Sequence, residues 1–278
     1  MTDPTRPVLR WHGGKWLLAP WIIGHFPQHE AYVEPYGGGA SVLLRKPAAR
    51  LEVYNDLDGE VVNLFRVLRS KPEELCEAVR LTPFARAEFS EAYEMAEDDI
   101  ERARRMLIRS HMGFGSNAVH RRSGFRAAGL RAGVLPVHNW SDMPEVVRSV
   151  GERFRSVVIE NRDAKKVMAS NDGCDVLHYV DPPYVFETRG DKGKDYAHEL
   201  SDDDHAELLT FLRGLSGMVV LSGYPSELYE EILTGWHRVK RIAMADGARE
   251  RTEVLWINPA CKVRVDEITM PLFSEAVA

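Results

Sequence analysis

Short, mostly apolar runs alternate along the chain with longer segments of helical period. Ala31 to Glu34, Leu51 to Tyr54, Val157 to Ile159, Val176 to Val180, Met218 to Leu221 and Val254 to Ile257 read as strands, their apolar character fitting a sheet buried on both faces. Between them the spacing predicts helices from about Leu57 to Leu68, from about Ala164, and from Ser201 toward Leu215. Ser201 suits an N-cap, with Asp202, Asp203 and Asp204 in the first turn. Strand–helix alternation of this kind predicts an open α/β sheet with helices on both faces. From about Lys71 to Val150 the alternation stops. That stretch is largely helical in pattern, with a Gly-rich polar segment between Gly113 and Gly133. The expected division is a discontinuous domain of residues 1–70 and 151–265, an insert of 71–150, and a tail of 266–278.

Composition changes this picture little. The 278 residues carry a net charge of −6, which argues against a surface that coats nucleic acid uniformly and leaves room for a local basic patch. Cys76, Cys174 and Cys261 have no metal-ligand spacing and fit reduced thiols, so no metal is expected. No apolar run reaches membrane-spanning length and Met1 to Pro4 lacks a signal-peptide profile, so a soluble, cytoplasmic protein is expected.

Charge is segregated, however. Between residues 102 and 131 there are eight arginines (102, 104, 105, 109, 121, 122, 126 and 131) and no Asp or Glu. Helical spacing allows Arg102, Arg104 and Arg105 to form a solvated face. In Arg121-Arg122-Ser123-Gly124-Phe125-Arg126 the Ser-Gly pair is a hairpin signal that sets arginines around a turn. A basic two-stranded finger matches the DNA major groove in size, so the insert reads as a nucleic-acid-contacting subdomain with a β-hairpin. The residues taken to touch DNA are Arg109, Asn117, Arg121, Arg122 and Arg126.

The chemistry concentrates at strand ends. After Val176 to Val180 comes Asp181-Pro182-Pro183-Tyr184. Two prolines cannot continue a sheet ladder, so the strand stops at a carboxylate, a carbonyl and an aromatic face, a set suited to gripping a flat, amino-bearing base. Glu34-Pro35-Tyr36-Gly37-Gly38-Gly39-Ala40 passes from strand through a Gly-rich turn without GxGxxG or GxxxxGK[ST], which favours a nucleoside ligand lacking a pyrophosphate. Asp56, 22 residues after Glu34, can accept from ribose hydroxyls or cap the following helix. Asp163 can touch an adenine ring or cap the Ala164 helix. In Arg10-Trp11-His12-Gly13-Gly14-Lys15, Lys15 suits an amino-acid carboxylate and Trp11 a sulfonium-bearing segment; the alternative is a leader with a buried Trp.

Together these segments resemble the Dam-type DNA adenine-N6 methyltransferases, the alpha-ordered D12 class that uses S-adenosylmethionine. Arg10 to Lys15 looks like the family's Lys-Trp-x-Gly-Gly-Lys, and Tyr32 to Val42 like its Phe-Val-Glu-Pro-Phe-x-Gly-x-Gly-Ser-Val. Asn55-Asp56 looks like its Asn-Asp pair, and Asp181 to Tyr184 matches its catalytic tetrapeptide. Asp204-His205 and Leu221 to Tyr224 are weaker likenesses. The sequence departs at Arg10, which replaces lysine, and at Ala40, which replaces the second glycine. The resemblance spans about residues 8 to 258 and is thin inside the insert.

It implies a Rossmann-like methyltransferase sheet with an inserted target-recognition subdomain. It also implies S-adenosylmethionine contact from Trp11, Lys15, Asp56 and Asp181, with Glu34, Pro35 and Gly38 shaping the pocket. The adenine would be flipped out of duplex DNA, at a cost of roughly a few kcal/mol. Asp181 and the Pro182 carbonyl would accept from its amino group, and Tyr184 would stack on it. An RNA base methyltransferase and an inactive DNA-binding relative are the rival readings, and pairing with a restriction nuclease is left open. Met270-Pro271-Leu272-Phe273 faintly resembles replication-clamp-binding peptides; a tail packed on the body is the alternative.

Overall fold

The computed structural model describes residues 4–126, 135–188, 198–245 and 249–261. Seven strands form one sheet among these residues: β1 (Ala31–Glu34), β2 (Leu51–Asn55), β3 (Val157–Glu160), β4 (Val176–Val180), β5 (Met218–Gly223), β6 (His237–Ala245) and β7 (Arg249–Ile257). The order is β3-β2-β1-β4-β5-β7-β6, parallel except for β7, which is antiparallel to both β5 and β6. The helices are α1 (Ala19–Ile23), α2 (Gly59–Ser70), α3 (Pro72–Arg80), α4 (Arg86–Glu91), α5 (Asp99–Met112), α6 (Pro136–Ser141), α7 (Met143–Arg153), α8 (Ala164–Ser170), α9 (Asp202–Arg213) and α10 (Glu227–Ile232).

Each face of the sheet has its own apolar cluster. One is covered by Leu64, Phe65 and Leu68 of α2, Leu75 and Val79 of α3, Met106 and Leu107 of α5, and Val147 and Val150 of α7. The other is covered by Val167 of α8, Leu208, Leu209 and Leu212 of α9, and Tyr229 of α10. The helical stretch expected as an insert thus shares its core with the sheet through α2. A buried charge cluster adds to that join: Glu52 of β2 accepts from Lys46 at 2.6 Å and from Arg153 of α7 at 2.8 Å. Burial pushes the Glu52 carboxyl up, but the two cations outweigh it and hold the group below its ordinary range.

Topology places the site. The chain runs from β1 outward to β2 and β3, then returns to lay β4 on the other side of β1. Strand order reverses between β1 and β4, and such a switch point opens a crevice at the carboxyl ends of the strands. Glu34 ends β1, Asp56 follows β2, and Asp181 follows β4.

Several elements differ from expectation. The cap of α2 is Asp58, whose carboxylate accepts from Glu60 N–H at 2.8 Å, so capping does not account for Asp56. Ser201 does cap α9, in a reciprocal box with Asp204. Strand β6 carried no readable signal, because an exposed edge strand of sequence His-Arg-Val-Lys-Arg lacks a buried face and keeps the charges that discourage further pairing. The finger turns elsewhere than at Ser123-Gly124. Gly113 pairs antiparallel with Phe125, sealed by Phe114 N–H to Gly124 O at 2.8 Å and Arg126 N–H to Met112 O at 2.7 Å. Ser123 and Gly124 therefore lie on the returning arm of a wider loop. The C-terminal tail with Met270 to Phe273 lies outside the described residues.

Ala40, which stands where the resembled pattern has its second glycine, has φ +53°. This left-handed backbone costs a side-chain-bearing residue roughly 1–2 kcal/mol. Because Ala40 is fully buried, a larger β-branched group there meets both the strained backbone and a packed core. Ala40→Val is expected to destabilise by at least about 2 kcal/mol. Ala40→Gly, which trades strain against a lost methyl and a freer unfolded chain, should stay within about 1 kcal/mol of wild type. Urea denaturation of both variants checks the pair.

Candidate active site

Two adjoining cavities open at the switch point. The larger, about 650 Å³, is lined by Pro35, Tyr36, Asp56, Leu57, His120, Ala164 and Pro183, among others. The smaller, about 400 Å³, is lined by Gly13, Gly14, Lys15, Glu34, Tyr179 and Pro182, among others. Trp11, Tyr36, Gly38 and Asp181 border both. The expected cofactor residues Trp11, Lys15, Glu34, Pro35, Gly38, Asp56 and Asp181 are thus brought together.

At the larger cavity, Asp56 accepts from the N–H groups of Gly38, at 2.8 Å, and Asp58, at 2.9 Å. Burial nonetheless pushes its carboxyl up to about 6. Gly38 has φ +46°, and a Cβ there would run into the indole of Trp11. Glycine is therefore required at the point where the turn passes the cavity wall. Asp163 is placed as the cap of α8, accepting from Lys166 N–H at 3.0 Å, while its neighbour Ala164 lines the cavity.

The smaller cavity is governed by charge. Lys15 is buried, with its ammonium 3.0 Å from Asp181 Oδ2, 2.8 Å from the Gly13 carbonyl and 4.7 Å over the Tyr184 ring. Burial pushes the Asp181 carboxyl up from its ordinary range, and Lys15, with a smaller contribution from the nearby Tyr184 hydroxyl, works against that. The second oxygen, Oδ1, is buried without a hydrogen-bond partner among the described residues. An unpartnered buried acceptor is costly, and such groups collect where a ligand supplies the donor. Glu34 accepts from Tyr32 Oη at 2.6 Å and Leu43 N–H at 3.0 Å. Burial, reinforced by the charge of Asp181, pushes it up to about 8, so Glu34 is largely a neutral acid at pH 7.

Tyr184 is only 5% exposed. Its hydroxyl donates to Glu253 at 2.8 Å, and the ring of Tyr224 meets it edge-on with centroids 4.5 Å apart.

The arginines divide into two groups. Arg102 is held by Glu60 and Asp99, Arg104 by Glu88 and Glu101, and Arg105 by Glu101. Arg109 turns inward, donating to Ala92 O at 2.7 Å and lying against the Tyr93 ring. Arg121 and Arg122 are exposed, with Arg122 paired to Glu94 at 3.0 Å, while Arg126 and Asn117 are half-buried. Phe114, in the same loop, is 75% exposed.

Sequence reasoning missed His120, which meets Trp11 edge-on at 4.9 Å, with its Nδ1 3.6 Å from Asp58. Nothing in the polar stretch around it marks it. It missed Tyr36 and Glu253 as well. A strand period of two sets Glu253 on the same face as Leu255 and Ile257, a signal available once β7 is extended by one residue.

Comparison with known proteins accords with this geometry. The model of the D12 class N6 adenine-specific DNA methyltransferases matches residues 11–245. The chain belongs to this family. A type II methyltransferase of Lactococcus lactis subsp. cremoris, M1.LlaDCHI, is 27% identical over 245 residues, 82% of this chain and 84% of the relative. The DNA adenine methylase of Haemophilus influenzae is 24% identical over 95% of this chain and 92% of its own. That of Escherichia coli K12 is 28% identical over 65% of each. The protein is an adenine-specific DNA methyltransferase. Among the described residues no helix is long and apolar enough to cross a membrane, and no cluster of metal-ligating side chains occurs.

The buried acid at Glu34 makes the methyltransferase's stability depend on pH. Its raised value means that the folded state holds a proton that the unfolded chain releases, so stability falls as pH rises from about 4.5 to about 8. Glu34→Gln removes this contribution. Its unfolding free energy in urea denaturation is expected to fall less than that of wild type over that window, by up to about 1.4 kcal/mol per pH unit. Parallel wild-type and variant curves would show that Glu34 ionises freely in the fold.

Proposed function

We propose that this methyltransferase moves a methyl group from S-adenosylmethionine to N6 of an adenine extruded from duplex DNA at a specific sequence. The observation that carries the reading is the buried Oδ1 of Asp181, without a hydrogen-bond partner among the described residues, on a side chain that borders both cavities next to Pro182. An amino group is the donor that such an acceptor lacks. In this reading Asp181 accepts from the adenine NH2, draws it toward tetrahedral geometry, and stabilises the positive charge that develops on nitrogen.

The residues present fit the donor. Asp56 keeps acceptor capacity for ribose hydroxyls, Trp11 and Gly38 form the wall between the compartments, and the smaller cavity combines Lys15 with acidic groups suited to an amino-acid end. Asp163 caps α8 through Oδ1 alone, which leaves Oδ2 for the adenine ring, and Ala164 and Leu57 line the same cavity. When bound, S-adenosylmethionine supplies a methyl group already activated on sulfur. The protein's part is placement, and oriented intramolecular reactions are worth roughly 7–11 kcal/mol.

Tyr184 is the stacking partner in this reading. Lys15 lies over its ring and Tyr224 abuts it edge-on, so the ring is held in place before a base arrives. A base-flipping step fits a site recessed at strand ends, where adenine inside a duplex cannot reach. Arg121, Arg122, Arg126 and Asn117, with the exposed Phe114, form the DNA surface, and Arg109 supports it from within. A DNA substrate implies work in the cytoplasm beside the nucleoid. The type II name of the Lactococcus relative makes pairing with a restriction nuclease a reasonable role, and a clamp contact through the tail stays a proposal.

Asp181→Ala is expected to keep the fold and lose methyl transfer by about 100-fold or more. A radiolabelled donor offered duplex DNA or RNA measures this, and near-wild-type turnover in the variant, or label in RNA alone, refutes the reading. Loss of Arg121 should lower the slope of log K against log salt by about one unit. Arg102→Ala, at a position already neutralised by Glu60 and Asp99, should leave that slope unchanged in the same filter-binding assay.

A further inference from the structure

Glu253 lies on β7, is 7% exposed, and has no place in the chemistry described so far. Its Oε2 accepts from Tyr184 Oη at 2.8 Å. Burial raises its proton affinity and the charge of Asp181 adds to this, while Lys15 opposes it. A carboxylate in that position is expensive to keep. Replacing the pair by phenylalanine and an aliphatic residue of similar shape removes two buried polar groups without leaving either unsatisfied, a change that is often neutral or stabilising. Tyr184 itself follows two prolines in a segment without helix or strand, so the backbone alone does not fix the plane of its ring. A hydrogen bond at the para position holds the far end of the ring, and Tyr224, with Arg251 over its own ring at 5.9 Å, braces it from the side.

We propose that Glu253 is a positioning residue for the target base, acting through the Tyr184 hydroxyl to hold the ring in the plane on which the extruded adenine stacks. This rests on the adenine-N6 reading of the site. Glu253 touches neither the base nor the donor; it carries the sheet's rigidity into the catalytic segment. Stacking depends on ring orientation to within a few tens of degrees, so a ring freed to tilt presents less face to the base and leaves N6 poorly aimed at the Asp181 carboxylate.

The test uses the full chain and a duplex with 2-aminopurine at the adenine that wild-type enzyme methylates, located beforehand by modification-sensitive sequencing. Stacking on Tyr184 quenches the emission of the extruded 2-aminopurine. Glu253→Ala is expected to brighten it, and to lower kcat by about tenfold or more with the KM for the donor unchanged. Glu253→Gln keeps a side-chain oxygen that accepts from the hydroxyl, and should recover most of both signals. Tyr184→Phe, which also takes the hydroxyl away from Asp181, should lose at least as much as Glu253→Ala, and the double variant should be no worse than Tyr184→Phe alone, since the Glu253 link runs through that hydroxyl.

Wild-type emission and kcat in Glu253→Ala, or losses that multiply in the double variant, overturn the inference while leaving adenine methylation standing. A wild-type enzyme that methylates no DNA adenine brings down both. Where Glu253→Ala does not fold, the other two variants decide: rescue in Glu253→Gln with loss in Tyr184→Phe supports the link, and wild-type turnover in Tyr184→Phe overturns it.

Discussion

The ion pair between Lys15 and Asp181 is the interaction around which the site is assembled. A carboxylate at the end of a buried central strand resists ionisation, and Glu34, at the end of the adjacent strand, shows the outcome without a close cation of its own: it is pushed up to about 8. Asp181 faces the same burial but has an ammonium 3.0 Å away. Lys15 can sit there because Gly13 and Gly14 let the N-terminal segment fold back over the β1–β4 switch point, with the Gly13 carbonyl taking a further hydrogen bond from the ammonium. One oxygen of Asp181 is thus committed to the fold, and the other is buried without a hydrogen-bond partner among the described residues.

The same N-terminal segment ties the two cavities to the loop that carries the exposed arginines. Arg10 donates to the Gly113 carbonyl at 3.1 Å, the His111 ring meets the Val8 carbonyl at 2.9 Å, and His120 packs on Trp11. Trp11 borders both cavities, and Gly113 and His120 belong to the loop that carries Phe114, Arg121 and Arg122. A displacement of that loop therefore acts on side chains that line both cavities, without any long path between them. The short Gly113–Phe125 pairing, sealed at its base by two backbone hydrogen bonds, gives the loop a firm root on α5.

Much of the site was legible because its chemistry sits in contiguous motifs at strand ends. Asp181 to Tyr184, Glu34 to Gly38 and Asp56 could each be placed from strand pattern and turn chemistry alone, and the switch point brings them together as that pattern requires. What stayed hidden depends on contacts between distant segments. The arginine run looked uncompensated because Glu60, Glu88, Asp99 and Glu101 lie before residue 102 in sequence yet beside it in space. Asp163 is open between cap and ligand in the sequence, and the fold uses one of its two oxygens as the cap. The edge strand β6 has no buried face to read, and Glu253 takes its meaning from Tyr184, 69 residues away.

Lys15 opposes the burial that raises the Asp181 carboxyl, and the proposed chemistry needs that carboxyl as an ionised acceptor. The direct measurement is the pH dependence of kcat/KM for methyl transfer by Lys15→Gln beside wild type. Removal of the cation leaves burial unopposed, so the acid limb of the profile is expected to move to higher pH by about 1–3 units, with activity returning as pH rises. An acid limb that stays in place, with turnover reduced equally at every pH, would mean that Asp181 does not carry the chemistry assigned to it.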